Sequence, residues 1–181
     1  MRRCSVMTAA LAGLLVSSVH AQNAPSMAAA VKQNYNQLKT LLARAADAMP
    51  EDGYSFQPTQ PERNYGGWVA HVADSQMNTC STVAGARKDL GAASKTSKAD
   101  LVAALKESFD ACDAVFDGLT DANASDAVQS FRGPQPRLTR LFGMLSHDNE
   151  CYGTMAVYLR LKGIVPPSSD RSGMPRGGKK Q

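Results

Sequence analysis

Residues 145–167 read LSHDNECYGTMAVYLRLKGIVPP, and this stretch decides the fold. It continues a helical apolar pattern that predicts one helix from about Leu138 to Lys162. Gly163 suits the position just beyond a helix, and Pro166-Pro167 prevents continuation. Within that helix His147 and Cys151 are four residues apart, so both point to one side about one turn apart. The chain has three histidines. His20 lies in a segment expected to be cleaved, and His71 sits in a second helical pattern, WVAHVADS from Trp68. His71 can therefore reach from another helix towards the His147–Cys151 pair. Imidazole and thiolate together suit zinc or a similar borderline metal such as nickel.

Three further helices are expected outward from this one. The first runs from about Met27 to Ala48, with Val31, Tyr35, Leu38, Leu41, Leu42 and Ala45 spaced by three, four and seven, and Pro50 and Gly53 stop it. A long connection, EDGYSFQPTQPERNYGG, is too apolar to be a mere linker, and Tyr54 and Phe56 are expected to pack over one end of the fold. The helix carrying His71 runs from about Trp68 to Ala84. Ser97-Lys98-Ala99-Asp100 resembles a capping box, with Asp in place of Glu or Gln. The helix behind it carries Leu101, Leu105, Phe109, Cys112, Val115, Phe116 and Leu119. No strand-like alternation is long enough to compete. The fold class is all-α, most simply a four-helix bundle.

The ends of the chain read differently. Arg2 and Arg3 precede an apolar run from Thr8 to Val19, and Val19-His20-Ala21 resembles a cleavage site, so residues 1–21 form an export signal peptide. The run is too short to span a bilayer. The mature chain then starts near Gln22 as a periplasmic or extracellular protein, with one domain over residues 22–168. The tail, 169–181, is Gly-rich and basic and reads as disordered. The whole chain carries 20 basic and 16 acidic side chains. Part of the excess lies in the leader and tail, which leaves a nearly neutral body with no nucleic-acid footprint.

His71 in WVAHVADS, His147 in LSHDNE and the ending YLRLKGIVPPSS together resemble the DinB/YfiT-like family of metal-dependent bundles. The resemblance covers roughly Met27 to Ser169. It implies an up-down-down-up bundle with a divalent metal near one end of the core. It also implies three histidine ligands, one on the second helix and two in an H-x-x-x-H pair on the fourth. These positions fall on His71, His147 and Cys151, so this chain has cysteine where the family usually has histidine. A thiolate need not abolish binding, and it shifts preference away from harder ions such as manganese. Alternatively the site is degenerate and Cys151 is a buried, inert thiol.

Two carboxylates lie near these ligands in sequence. Glu150, three residues after His147, is an additional ligand if the helix is slightly rotated. Asp74, three after His71, can orient a histidine ring from outside the ligand set. Either is otherwise a solvated helix charge. Cys80 is nine residues beyond His71, half a turn out of phase, so both cannot face one metal. Exported proteins meet oxidising conditions, and the expected disulfide is Cys80–Cys112, joining the second and third helices. Three reduced cysteines, or a disulfide through Cys151, remain the alternatives. No C-x-x-C-H, G-x-S-x-G, P-loop or dinucleotide fingerprint is present. Two functions follow as expectations. One is a metal-dependent hydrolase or thiol-transferase-like enzyme of unknown small-molecule substrate. The other is a non-enzymatic bundle with a degenerate site that binds a small ligand or a protein. The reading also allows a homodimer.

Overall fold

The computed structural model of the chain describes residues 25–130 and 133–170. The expected signal peptide, 1–21, and the tail beyond Asp170 lie outside the described residues. Four helices account for most of the rest: α1 Met27–Ala48, α2 Tyr65–Val83, α3 Lys98–Asp117 and α4 Arg137–Leu161. Three of them start on a side-chain or backbone signal visible in the sequence. Ser26 caps α1 by accepting from the Ala29 N–H at 3.2 Å, and Ser97 caps α3 by accepting from the Asp100 N–H at 3.1 Å. Here the expected capping box departs from the usual form, because the Ser97 hydroxyl donates to the Asp100 carboxylate at 2.7 Å. Helix α2 begins three residues earlier than expected. Asn64 accepts from the Gly67 N–H at 2.7 Å and carries the helix across Gly66-Gly67.

Side-chain pairings fix the direction of each helix. Lys32 pairs with Asp117 and Lys39 with Asp113, both at 2.6 Å, while Lys98 donates to the Met49 carbonyl at 2.7 Å. Rising numbers in α1 thus meet falling numbers in α3, and the two are antiparallel. Between α2 and α3 the Gln76–Ser108 contact is followed by Cys80–Cys112, so these run parallel. Between α2 and α4, Trp68 meets Tyr158 and Thr79 meets Arg140, an antiparallel match. The bundle is therefore up-down-down-up.

Parallel α2 and α3 need a connection that returns along the full bundle. Residues 84–97 make that crossover. At its start Gly85 adopts φ 84°, and the Ala86 N–H reaches the Ser81 carbonyl at 2.9 Å, which ends α2 sharply. Midway, the Asp74 carboxylate accepts the N–H groups of Ala92 and Ala93 at 2.9 and 3.0 Å and caps a short 3-10 turn.

The core is continuous along the bundle axis. Tyr35 stacks on Phe116 with ring centroids 4.1 Å apart. Tyr54 is buried at one end and donates to the Ala46 carbonyl at 2.8 Å, and Phe56 packs edge-on against Tyr158. Before α4 a small hairpin pairs β1 Ala127–Val128 with β2 Gln135–Pro136, two residues each, too short to show in the sequence. Gly163, at φ 74°, ends α4, with Ile164 N–H bonded to the Leu159 carbonyl at 2.9 Å. The chain then folds back: the Ser168 N–H bonds to the Tyr152 hydroxyl, the Arg160 guanidinium donates to Ser169 Oγ at 2.9 Å, and Asp170 pairs with Arg44 at 2.7 Å. Ser169 and Asp170, assigned to the tail from sequence, are held against the bundle.

Candidate metal centre

Antiparallel packing of α2 on α4 brings His71 opposite His147. Their Nε2 atoms lie 2.9 Å apart, with the rings inclined at 68°. One turn further along α4, the Cys151 sulfur lies 3.6 Å from His147 Nε2. One donor atom from each of His71, His147 and Cys151 falls within 4.8 Å of the others. A tetrahedral zinc with ordinary bond lengths separates its nitrogens by about 3.3 Å and a nitrogen from a thiolate sulfur by about 3.5 Å. The His71–His147 and His147–Cys151 separations differ from these by a few tenths of an ångström, within reach of small ring rotations, and the third pair lies within 4.8 Å. Two imidazoles and a thiol are donors that zinc and nickel accept. The residues present fit a borderline divalent ion.

The two carboxylates singled out from sequence are not in this cluster. Glu150 is exposed on the outer side of α4. Asp74 directs both oxygens to the crossover backbone. The carboxylate that orients a ring is Asp148, which sequence reasoning passed over. Asp148 is fully buried. Its Oδ1 lies 3.2 Å from His147 Nδ1, and its Oδ2 accepts from Gln76 Nε2 at 2.8 Å. Gln76 in turn meets the Ser108 hydroxyl at 3.3 Å. A chain of buried polar groups thus runs from α3 through α2 and α4 to the histidine pair. Once His147 gives up its Nε2 proton to bind an ion, the hydrogen bond to Asp148 keeps the remaining proton on Nδ1, and the freed Nε2 lone pair faces His71 and Cys151.

The two rings sit in opposite fields. His147 is pushed up to about 10, first by its hydrogen bond to Asp148 and then by that to Cys151, against the opposing effect of burial. His71 is lowered, first by burial, then by the Arg63 guanidinium and by His147. Trp68 packs edge-on against His71 at 5.9 Å and donates to the Tyr158 hydroxyl at 3.2 Å. Arg63 lies over the indole at 5.0 Å. Trp68 and Arg63 thus flank the His71 side of the cluster. The other side opens onto a groove of about 780 Å³ between α2 and α4, lined by His71, His147, Met144, Thr139 and Arg140 among others.

The remaining cysteines lie deeper. Cys80 and Cys112 form a disulfide with Cα atoms 5.1 Å apart, and Cys151 is free and buried. Met144 places its sulfur 3.7 Å from that of Cys80 and so packs on the bridge from α4.

The model of the DinB superfamily matches residues 34–155, a span holding both histidines and all three of these cysteines. The chain belongs to the DinB superfamily. Among solved structures, the DinB fold recurs in a DinB-like protein from Bacillus cereus, 19% identical, with a TM-score of 0.63 over 76% of this chain and 93% of that one. A DinB-like protein from Bacillus subtilis is 15% identical, with a TM-score of 0.60 over 74% and 92%. A conserved protein from Enterococcus faecalis is 13% identical, with a TM-score of 0.61 over 76% and 98%. At these identities the likeness concerns the fold. No curated protein matches the chain significantly. Among the described residues, no helix is long and apolar enough to cross a membrane.

Proposed function

We propose that this DinB-superfamily chain is an exported protein that binds a divalent ion, zinc or nickel, through His71, His147 and Cys151. The observation that carries the reading is the convergence of these three donors within 4.8 Å from two helices. Asp148, fixing the tautomer of His147, is the kind of partner that metal-ligating histidines have. Export is supported by the leader pattern of residues 1–21 and by the Cys80–Cys112 disulfide, a bond that persists in oxidising compartments.

Three protein ligands leave room for a further one, the arrangement that separates reactive from closed structural sites. A bound ion would supply Lewis acidity, polarising an oxygen or sulfur brought to it. The open groove on the histidine side favours metal-dependent hydrolysis or thiol transfer over a purely structural ion. One observation favours a second reading. The His71–His147 contact at 2.9 Å is already a complete hydrogen bond without metal. On that reading the site is degenerate, and the bundle binds a small ligand or a protein.

Metal analysis of the purified mature protein tests the first reading. After zinc or nickel exposure and desalting, the wild type should retain close to one ion per chain. His147→Ala and His71→Ala should each lose most of it. Cys151→His, which installs the ligand set usual in the family, should retain metal. Equal and near-zero metal in wild type and His147→Ala would leave the second reading standing. Mass spectrometry of exported protein should give an amino terminus at Gln22.

A further inference from the structure

Arg140 sits on the groove wall two helical turns before His147. A spacing of seven residues places both on one face of α4, about 10 Å apart along its axis. The Arg140 guanidinium donates to Thr79 Oγ1 at 2.8 Å, while its Nε is buried with no hydrogen-bond partner. Among the described residues no carboxylate forms an ion pair with it. Burial destabilises its charge, and no nearby acid offsets that effect. A half-buried arginine without a counter-charge is unusual, because desolvating the ion costs free energy that a carboxylate normally repays.

The surroundings share this sign. Arg140, Asn78 and Ser130 line both the groove at the histidines and an adjoining hollow of about 440 Å³. That hollow also holds Arg87, and among the described residues no acidic one lines it. With its amide oxygen turned to Arg87, Asn78 accepts from that guanidinium at 3.0 and 3.1 Å and holds it at the rim. Among the described residues, the one carboxylate lining the groove, Asp74, is bonded to the crossover backbone.

We propose that Arg140, with Arg87 at the rim, forms an anion subsite that seats a carboxylate or phosphate group of a small ligand. Guanidinium groups match both anions through paired N–H donors. The subsite stands on the groove alone. Its relation to chemistry rests on the metal reading: the ligand would carry its reacting atom about 10 Å from its anionic group, the distance of seven helical residues.

The test uses the mature chain after chelator treatment, so that no metal competes for the probe. Inorganic phosphate and glutarate are titrated separately and followed by amide chemical shifts. Saturable shifts at Asn78, Thr79 and Arg140 are expected for at least one probe, and which probe binds more tightly separates phosphate from carboxylate ligands. Arg140→Gln should weaken binding about tenfold or more, the loss of one charge-assisted pair. Thr139→Glu, an exposed change that adds a like charge to the groove, should weaken it as well and decides the matter if Arg140→Gln fails to fold. Absence of saturable shifts with both probes, or unchanged affinity in the folded variants, overturns the subsite. Anion binding without metal uptake overturns only the metal reading.

Discussion

Helix α2 takes part in two seams of opposite character. Towards α3 it is parallel, largely apolar and covalently closed by Cys80–Cys112, with Met144 packed on the bridge. Towards α4 it is antiparallel and polar, with two imidazoles, a buried carboxylate, an amide and a thiol within a few ångströms of one another. The first seam buries what water rejects and ties it down. The second gathers donors that can be fully satisfied only by one another or by a ligand. The contrast is a division of labour, in which the closed seam supplies rigidity that lets the polar seam keep its donor atoms pointed at a common place.

The sharpest way to break this division is to open the closed seam. Replacing Cys80 and Cys112 by serine removes a bridge of sequence separation 32. The chain-entropy model assigns such a bridge about 3–4 kcal/mol. Urea unfolding should show a loss of that size, with metal content of the folded fraction unchanged. A double-serine variant that stays folded but no longer takes up metal would show that the seams are not separable.

The next largest effect is expected at Asp148. Asp148→Asn keeps the shape, yet its amide can present N–H to His147 Nδ1 and so drive the ring proton to Nε2, the atom that faces His71. Metal affinity should fall about 10–100-fold, as when outer partners of ligating histidines are changed. Stability should fall by about 1–3 kcal/mol, because a charge-assisted buried bond is lost. Denaturation and zinc titration check the two effects separately.

The same pair of rings predicts a pH dependence in the metal-free protein. His147 is raised from 6.5 to about 10, so its contribution to stability is complete below 6.5 and fades as pH climbs through about 10. His71 is lowered from 6.5, so its contribution is present above that value and is lost as pH falls. Proton NMR should find His147 charged at neutral pH and His71 neutral. Asp148→Asn should bring His147 down towards the ordinary range. If His71 titrates above His147, the assignment of Asp148 to His147 is wrong.

The two seams were not equally legible in the sequence. Helix ends marked by Ser26, Ser97 and Gly163 are local signals, and three-four spacing identified the core faces. Gly66-Gly67 argues against helix, yet the Asn64 cap and packing against its neighbours outweigh that preference and start α2 at Tyr65. The His147–Cys151 pair was visible because one helix carries both. Asp148 was not, since its neighbour in sequence points 100° away on an isolated helix and only Gln76 on α2 explains its burial. Asp74 and Glu150 lie at helical spacing from the histidines, and spacing alone does not fix where either carboxylate points. One caps a crossover whose course no local pattern reveals, and the other faces solvent.

The smallest expected effect lies at Gly85, where the crossover that makes α2 and α3 parallel begins. Its φ of 84° is in the left-handed region, and a Cβ there would meet nothing within 4 Å. Crowding therefore plays no part, and Gly85→Ala should cost only the backbone strain of an L-residue in that region, about 1 kcal/mol. Gly85→Asn should cost less, because asparagine visits the left-handed region more readily. Both variants should retain the Cys80–Cys112 bridge and the metal content of the wild type. Thermal unfolding that ranks wild type above Asn, and Asn above Ala, supports a purely conformational role. Equal losses in the two variants would mean instead that the side chain disturbs the crossover, and loss of metal would tie this remote turn to the α2–α4 seam.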